Sequence, residues 1–279
     1  YSDGVYTRYP FQGALHGLPA DVVKECILGA IEARYGISGE ATAASNDALP
    51  VAERHDCCAD GAVPDSDLST APHAQTQPEN FEQFIFRTWG RGIAKHFALP
   101  YNRKLWALPL TEMETSWLGG RVPLPDLAQI IEGALAPLAK PMGPNARFGY
   151  PLKGGFQALM HGFLPHLSCE LETNSMLAEL HPEQHIAVLT DGRRYRYDQL
   201  ISTMPLPQLI AMIGDEAPAE IHDAVAKLRH VSIRCVNIGV GRADLTDKHW
   251  VYYPGDTLFH RIFVQGNASP HCNPPGGCG

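Results

Sequence analysis

The chain has 279 residues, of which 44% are apolar, and a formal net charge of −8 at pH 7. This length and composition suffice to bury one or two hydrophobic cores. The acidic balance, without a concentrated run of Lys or Arg, argues against a nucleic-acid partner or an anionic membrane surface. No apolar run approaches the ~20 residues of a membrane span and no signal peptide is visible, so the sequence predicts a cytoplasmic protein.

The seven cysteines show no paired C-x-x-C spacing. An odd number of cysteines in a chain of this length predicts mostly free thiols in a reducing compartment, and no metal site is expected.

The first third of the chain predicts three elements and an interruption. Val5 to Phe11 alternates apolar and polar residues and predicts a strand, and Ala20 to Tyr35 has the apolar spacing of an amphipathic helix. The composition of 38–79 shifts to small and polar residues, which predicts a flexible insertion. Helical periodicity resumes over Asn80 to Phe97, with Asn80 as a plausible N-cap.

The segment from Phe97 to Asp126 is dense in aromatic residues, cations and prolines. Its prolines exclude one long helix and predict a short helix or turn around Asn102 to Trp106, a loop, and an extended stretch at 121–123. Arginine beside aromatic planes is a common way to hold an anionic, ring-containing ligand. The pattern indicates that one concavity receives Tyr101, Asn102, Lys104, Trp106 and Arg121. Taken singly, Trp106 and Trp117 are better interpreted as core aromatics.

Further along the chain, helices alternate with short strand-like runs. Leu124 to Leu138 and Ile221 to Leu228 predict helices, and the Gly154-Gly155 turn predicts a helix whose N-terminus faces a phosphate. Strands are predicted at Met176–Leu180, Ile186–Leu189, Arg194–Tyr197, Gln199–Thr203, Ser232–Val240, Trp250–Tyr253 and Leu258–Val264.

Three blocks resemble one enzyme family. YNRKLWALPLTEM followed by WLGGRV, the later MGPNARFGYPLKGGFQAL and the early YPFQ resemble motifs of the UDP-galactopyranose mutases, especially the eukaryotic type. These enzymes belong to the FAD-dependent amine-oxidase/protoporphyrinogen-oxidase-like superfamily. The resemblance implies an α/β (α+β) fold: the substrate-binding part of an amine-oxidase-like protein, with an antiparallel sheet, a helical subdomain and an incomplete dinucleotide-binding domain.

The resemblance also implies a domain organisation. The chain opens in a strand-like run and stops in a loop, so we expect a piece of a longer polypeptide. The expected parts are a substrate-domain strand and helix (1–37), the flexible insertion (38–79), a helical substrate subdomain (80–168), a partial FAD-domain segment (169–230) and substrate-sheet strands (231–279).

Site residues follow from these motifs and from later stretches, YDQLISTMPLPQL, WVYYP and FHRI, that resemble segments of the same enzymes. Candidate substrate-binding residues are Tyr9, Phe11, Gln12, Asn102, Trp106, Arg121, Trp250, Tyr252 and Arg261. Candidate cofactor-binding residues, for FAD, are Gly154, Gly155, Ser202 and Thr203. Without the resemblance, Tyr9 to Gln12 could be an ordinary strand end, Arg261 a surface cation and Ser202–Thr203 plain structure.

The implied activity is a UDP-galactopyranose/furanose mutase-like ring contraction of a nucleotide sugar through an adduct at N5 of reduced flavin, as in cell-surface polysaccharide biosynthesis. No catalytic residue is assigned. The sequence lacks the G-x-G-x-x-G turn that such a flavin site needs. Two alternatives stay open: an FAD-dependent oxidoreductase of the amine-oxidase or protoporphyrinogen-oxidase type, and a non-catalytic binding module.

Overall fold

The computed structural model describes residues 1–36, 78–140, 142–143, 147 and 149–279. They fall into a larger unit, Tyr1–Gly155 with Ile238–Gly279, and a smaller unit, Phe156–Asn237. All but the last two residues of the insertion predicted at 38–79 lie outside the described residues. The helices are α1 (Ala20–Tyr35), α2 (Phe81–Ile93), α3 (Leu99–Trp106), α4 (Leu127–Leu135), α5 (Gln157–His161), α6 (Leu206–Ile213), α7 (Ala219–Val225) and α8 (Gln265–Ala268). The strands are β1 (Leu177–His181), β2 (Ile186–Leu189), β3 (Arg194–Arg196), β4 (Trp250–Tyr252) and β5 (Arg261–Phe263).

Helices α1 and α2 form the centre of the larger unit and match their predicted positions. Apolar side chains at helical spacing are buried on both, including Cys26 on α1 and Ile85 on α2. The predicted N-cap of α2 is confirmed, because the Asn80 side chain accepts a hydrogen bond from the Gln83 amide at 3.0 Å. Hydrophobic burial thus fixes which faces of the two helices meet.

Glycines allow the backbones of α1 and α2 to touch. A Cβ atom on Gly92 would lie 2.1 Å from the Glu25 carbonyl oxygen, and one on Gly90 would lie 1.9 Å from the Gly29 oxygen. Gly90 also has a φ of 76°, which other residues rarely adopt. The close approach therefore depends on the absence of side chains at these positions.

The helical run continues from α2 through a π-helical segment, Ala94–Ala98, into α3. Pro100 does not break it, because it lies in the first turn of α3, where its missing N–H is least costly. The helix predicted around Asn102 to Trp106 is therefore confirmed, but it begins earlier than expected. Two of its side chains, Tyr101 and Lys104, contact the β4–β5 hairpin region.

Three predicted strands are wrong. Val5 to Phe11 contributes only an isolated bridge between Ser2 and Val5, and Phe11 begins a 3-10 turn. Ser232 to Val240 contributes only a bridge from Val240 to Cys278, and Gln199 to Thr203 has no strand pairing. Alternating polarity predicts alternating burial, whereas a strand also needs a continuous hydrogen-bonded neighbour, and within the described ranges these segments have at most one isolated bridge.

The remaining strands form two antiparallel sheets, as predicted. In the larger unit, β4 and β5 make a hairpin whose register pairs Trp250 with Phe263 and Tyr252 with Arg261. In the smaller unit, β1, β2 and β3 form a three-stranded sheet in that order. The described part of the chain thus combines helices with antiparallel sheets, and none of its helices has the length and apolarity needed to cross a bilayer.

The smaller unit contains a histidine held between two carboxylates. The Nδ1 atom of His181 lies 2.7 Å from Glu216, and its Nε2 atom lies 3.3 Å from Glu179. The hydrogen bond with Glu216 is the main reason that the pKa of His181 is raised above its ordinary value. A raised folded-state pKa means that the contribution to stability is complete below about pH 6.5 and is lost as the pH rises through the folded pKa.

We therefore expect His181→Gln to lower the melting temperature more at about pH 6 than at about pH 8.5. Thermal denaturation followed by circular dichroism at the two pH values measures the difference. His166→Gln, at an exposed position of the same unit, is the matched control. An equal loss at both pH values would show that the charged imidazole does not contribute.

Candidate ligand-binding site

A cavity of about 520 Å³ opens in the larger unit. Its size lies within the ~300–1,000 Å³ typical of small-molecule sites. The walls come from the first eleven residues, from Phe97 just before α3, from Tyr150, and from the β4–β5 hairpin with the residues before it. Eight of the sixteen described residues that line it are aromatic: Tyr1, Tyr6, Tyr9, Phe11, Phe97, Tyr150, Trp250 and Tyr252.

The charges around the cavity are opposite to the charge of the chain. Arg8, Lys248 and Arg261 line it, and the described lining residues include no Asp or Glu, although the net charge of the whole chain is −8. The Lys248 ammonium is paired with the Asp247 carboxylate. An anionic ligand would therefore meet a locally positive surface, with the two arginines as its main cations.

Arg261 is held against an aromatic support. Its guanidinium carbon lies 4.7 Å from the centre of the Trp250 ring, and Trp250 stacks on Phe263 with ring centres 4.1 Å apart. The Trp250 indole N–H donates to the Tyr150 hydroxyl at 2.8 Å. A guanidinium over an aromatic ring can still donate N–H groups to a ligand, so this arrangement suits a phosphate.

Tyr252 lies at the junction of the cavity with the helical core. It stacks on Tyr9 at 5.9 Å and meets Tyr101 edge-on at 5.2 Å. Burial raises the pKa of Tyr252, while Arg261, which hydrogen-bonds its hydroxyl, acts in the opposite direction. The hydroxyl is therefore protonated at neutral pH and can donate a hydrogen bond to an anion.

Two further candidates support the first segment of the chain. Phe11 is buried, lines the cavity and stacks on Phe97 with ring centres 4.7 Å apart. Gln12 is also buried, and its amide donates to the Pro123 carbonyl at 3.0 Å. Gln12 thus ties the first segment to the proline-rich stretch and does not line the cavity.

The described residues that line this cavity do not include Asn102, Trp106 or Arg121. The Asn102 side chain donates to the Ala98 carbonyl at 2.8 Å and accepts from the Trp106 indole at 3.3 Å. Arg121 is exposed and donates to the Trp117 carbonyl at 3.0 Å. Their contact with a bound substrate stays a prediction.

The four candidate cofactor residues are divided between the two units. Gly154 and Gly155 lie in the larger unit with positive φ, ahead of the five-residue α5, and Ser202 and Thr203 are exposed in the smaller unit. The described sheets are antiparallel, and the sequence has no G-x-G-x-x-G turn. A dinucleotide site of the implied type needs a strand, a glycine turn and a helix N-terminus together, so the roles of these four residues toward FAD stay a prediction.

Sequence reasoning missed several lining residues. Arg8 precedes Tyr9 directly, and Lys248 lies two positions before Trp250, where an alternating pattern would place it on the same side of the chain. Tyr150 lies within the motif MGPNARFGYPLKGGFQAL but was not predicted to bind substrate. Basic residues beside the candidate aromatics were the available signal.

Comparison with known proteins agrees with this description. No family model matches the chain. A mixed helical and antiparallel fold of this kind occurs in a solved structure described as reduced UDP-galactopyranose mutase, with a TM-score of 0.73 and 26% sequence identity. The match covers 100% of this chain and 54% of that chain. The chain therefore has a mutase-like fold and spans about half the length of that mutase.

Proposed function

We propose that the chain is the nucleotide-sugar-binding part of an FAD-dependent, UDP-galactopyranose mutase-like enzyme. The observation that carries the proposal is Arg261, stacked on Trp250 beside the protonated Tyr252 in a cavity whose described lining has no carboxylate. The motifs quoted from the sequence and the likeness to a solved mutase support it independently.

The proposed roles follow from the chemistry of these groups. Arg261 neutralises the diphosphate with charge-assisted hydrogen bonds, and Tyr252 donates to one of its oxygens. Tyr9 and Trp250 provide apolar ring surfaces for the rest of the nucleotide sugar. Reduced flavin, bound with residues beyond those described above, would supply the nucleophile for the sugar in a mutase.

We expect a polypeptide that contains this sequence together with a dinucleotide-binding segment to interconvert UDP-galactopyranose and UDP-galactofuranose when its flavin is reduced with dithionite. Chromatographic separation of the two nucleotide sugars measures the reaction, and the same protein with oxidised flavin is the control. Titration calorimetry of UDP into the chain itself tests the binding step separately.

Turnover that occurs only with an electron acceptor would contradict the mutase proposal and would support the FAD-dependent oxidoreductase. The missing G-x-G-x-x-G turn favours a second candidate, a non-catalytic binding module. UDP binding without flavin binding by such a polypeptide would support that candidate, and no UDP binding at all would contradict both.

A further inference from the structure

The Lys104 ammonium contacts the turn of the β4–β5 hairpin, residues 253–257. Its ammonium donates to the Tyr253 carbonyl at 3.0 Å, to the Thr257 hydroxyl at 2.9 Å, and to the Gly255 carbonyl. An ammonium has three N–H donors, so these three oxygens satisfy it fully. The three donors of Lys104 are therefore used within the protein. Lys104 does not line the cavity, although the sequence predicted that it would face a ligand-binding concavity.

Tyr101 contacts the same hairpin from the same face of α3. Tyr101 and Lys104 are three residues apart, which places their side chains side by side on a helix. The Tyr101 ring meets Tyr252 at the end of β4, and it meets His260 just before β5 at 6.1 Å. One face of α3 thus contacts both strand ends and the turn that joins them.

We propose that Lys104 is a positioning residue that anchors the 253–257 turn to α3 and thereby sets the cavity wall formed by Tyr252 and Arg261. Those two residues are cross-strand partners next to the turn. A shift of the turn would move the Tyr252 hydroxyl and the Arg261 guanidinium relative to the rest of the cavity. The ligand-binding half of this inference rests on the proposed function.

The surroundings of Lys104 fit an anchor. Burial lowers the pKa of Lys104, and the nearby Asp256 carboxylate raises it, so a carboxylate of the turn offsets part of the desolvation. The turn also has backbone bonds of its own, from the Tyr253 amide to the His260 carbonyl at 2.8 Å and from the Thr257 amide to Gly255 at 2.9 Å. These two amides report directly on whether the turn stays closed.

The test compares Lys104→Met with the wild-type chain by hydrogen exchange and by UDP titration. In the chain without ligand, we expect amides 253–260 to exchange on the order of tenfold faster in Lys104→Met, while α1 and α2 keep their protection. We expect the UDP dissociation constant to rise roughly tenfold. Lys104→Arg, which keeps a charged donor, is expected to retain much of the amide protection and of the UDP affinity.

Lys95→Met is the matched control, because Lys95 is an exposed lysine that pairs with Glu25 away from the hairpin. Unchanged exchange at 253–260 in Lys104→Met would overturn the anchoring role, whether or not UDP binds. Faster exchange with unaltered UDP affinity would overturn the positioning role. If the wild-type chain binds no UDP, the proposed function fails and the positioning role fails with it, while the exchange data still decide the anchor.

Discussion

Replacing Arg261 with alanine is expected to weaken UDP binding by about 1.5–3 kcal/mol, roughly ten- to hundredfold in the dissociation constant. Arg261 lies in the cavity on the face of Trp250. Its loss removes a charge-assisted contact with the diphosphate and leaves Trp250 without its cation. Titration calorimetry of UDP into the chain measures the effect. The UDP dissociation constant should depend less on salt concentration in the variant than in the wild-type chain.

Two further arginine variants make this result specific. Arg103→Ala is the control, because Arg103 is an exposed residue paired with Glu82 on the helical side, and affinity should not change. Arg121→Ala tests the role that the family resemblance implies. A loss equal to that of Arg261→Ala would mean that UDP binding brings Arg121 into the cavity, and no loss would restrict the diphosphate contact to Arg261. Unaltered affinity in Arg261→Ala would rule out the proposed diphosphate site.

Replacing Gly92 with alanine is expected to destabilise the larger unit by at least the ~1–3 kcal/mol typical of an overpacked core. A Cβ atom at this position would lie 2.1 Å from the Glu25 carbonyl oxygen. Backbone atoms cannot yield as a flexible side chain can, so α1 and α2 would have to separate and expose the apolar faces around Cys26 and Ile85. Urea denaturation followed by circular dichroism measures the change.

Gly241→Ala is the matched control for this prediction. A Cβ atom on Gly241 would meet no atom within 4 Å, and the residue lies outside the helices and strands of the larger unit. Equal stability of Gly92→Ala and the wild-type chain would mean that the two helices do not pack backbone to backbone.

The parts of the fold that depend on local chemistry could be predicted from the sequence. The α1 and α2 positions follow from apolar spacing, and the Asn80 cap follows from its side chain. Helix α4 begins later than predicted, at Leu127, because Asp126 and Gln129 form a capping box. Its last residue, Leu135, is 77% exposed, because the helix ends there.

The candidate site was likewise predicted only in part from the sequence. Tyr9, Phe11, Trp250, Tyr252 and Arg261 all line the cavity, and each belongs to a motif or a strand that the sequence displays. Asn102 and Trp106 share a helix with Tyr101, but their polar atoms bond to each other and to the helix backbone. Residue type and spacing did not distinguish the helix face that supports the hairpin from the face that packs inward.

By itself, the sequence determined the helices of the core, the β4–β5 hairpin and the aromatic and cationic character of the site, because these depend on periodicity, caps and residue type. Only the tertiary structure decided which segments find strand partners, that Lys104 anchors a turn, and that Arg8 and Lys248 join Arg261 around one cavity. The Lys104 contact joins residues 149 positions apart in the chain, and local pattern does not encode which distant groups meet.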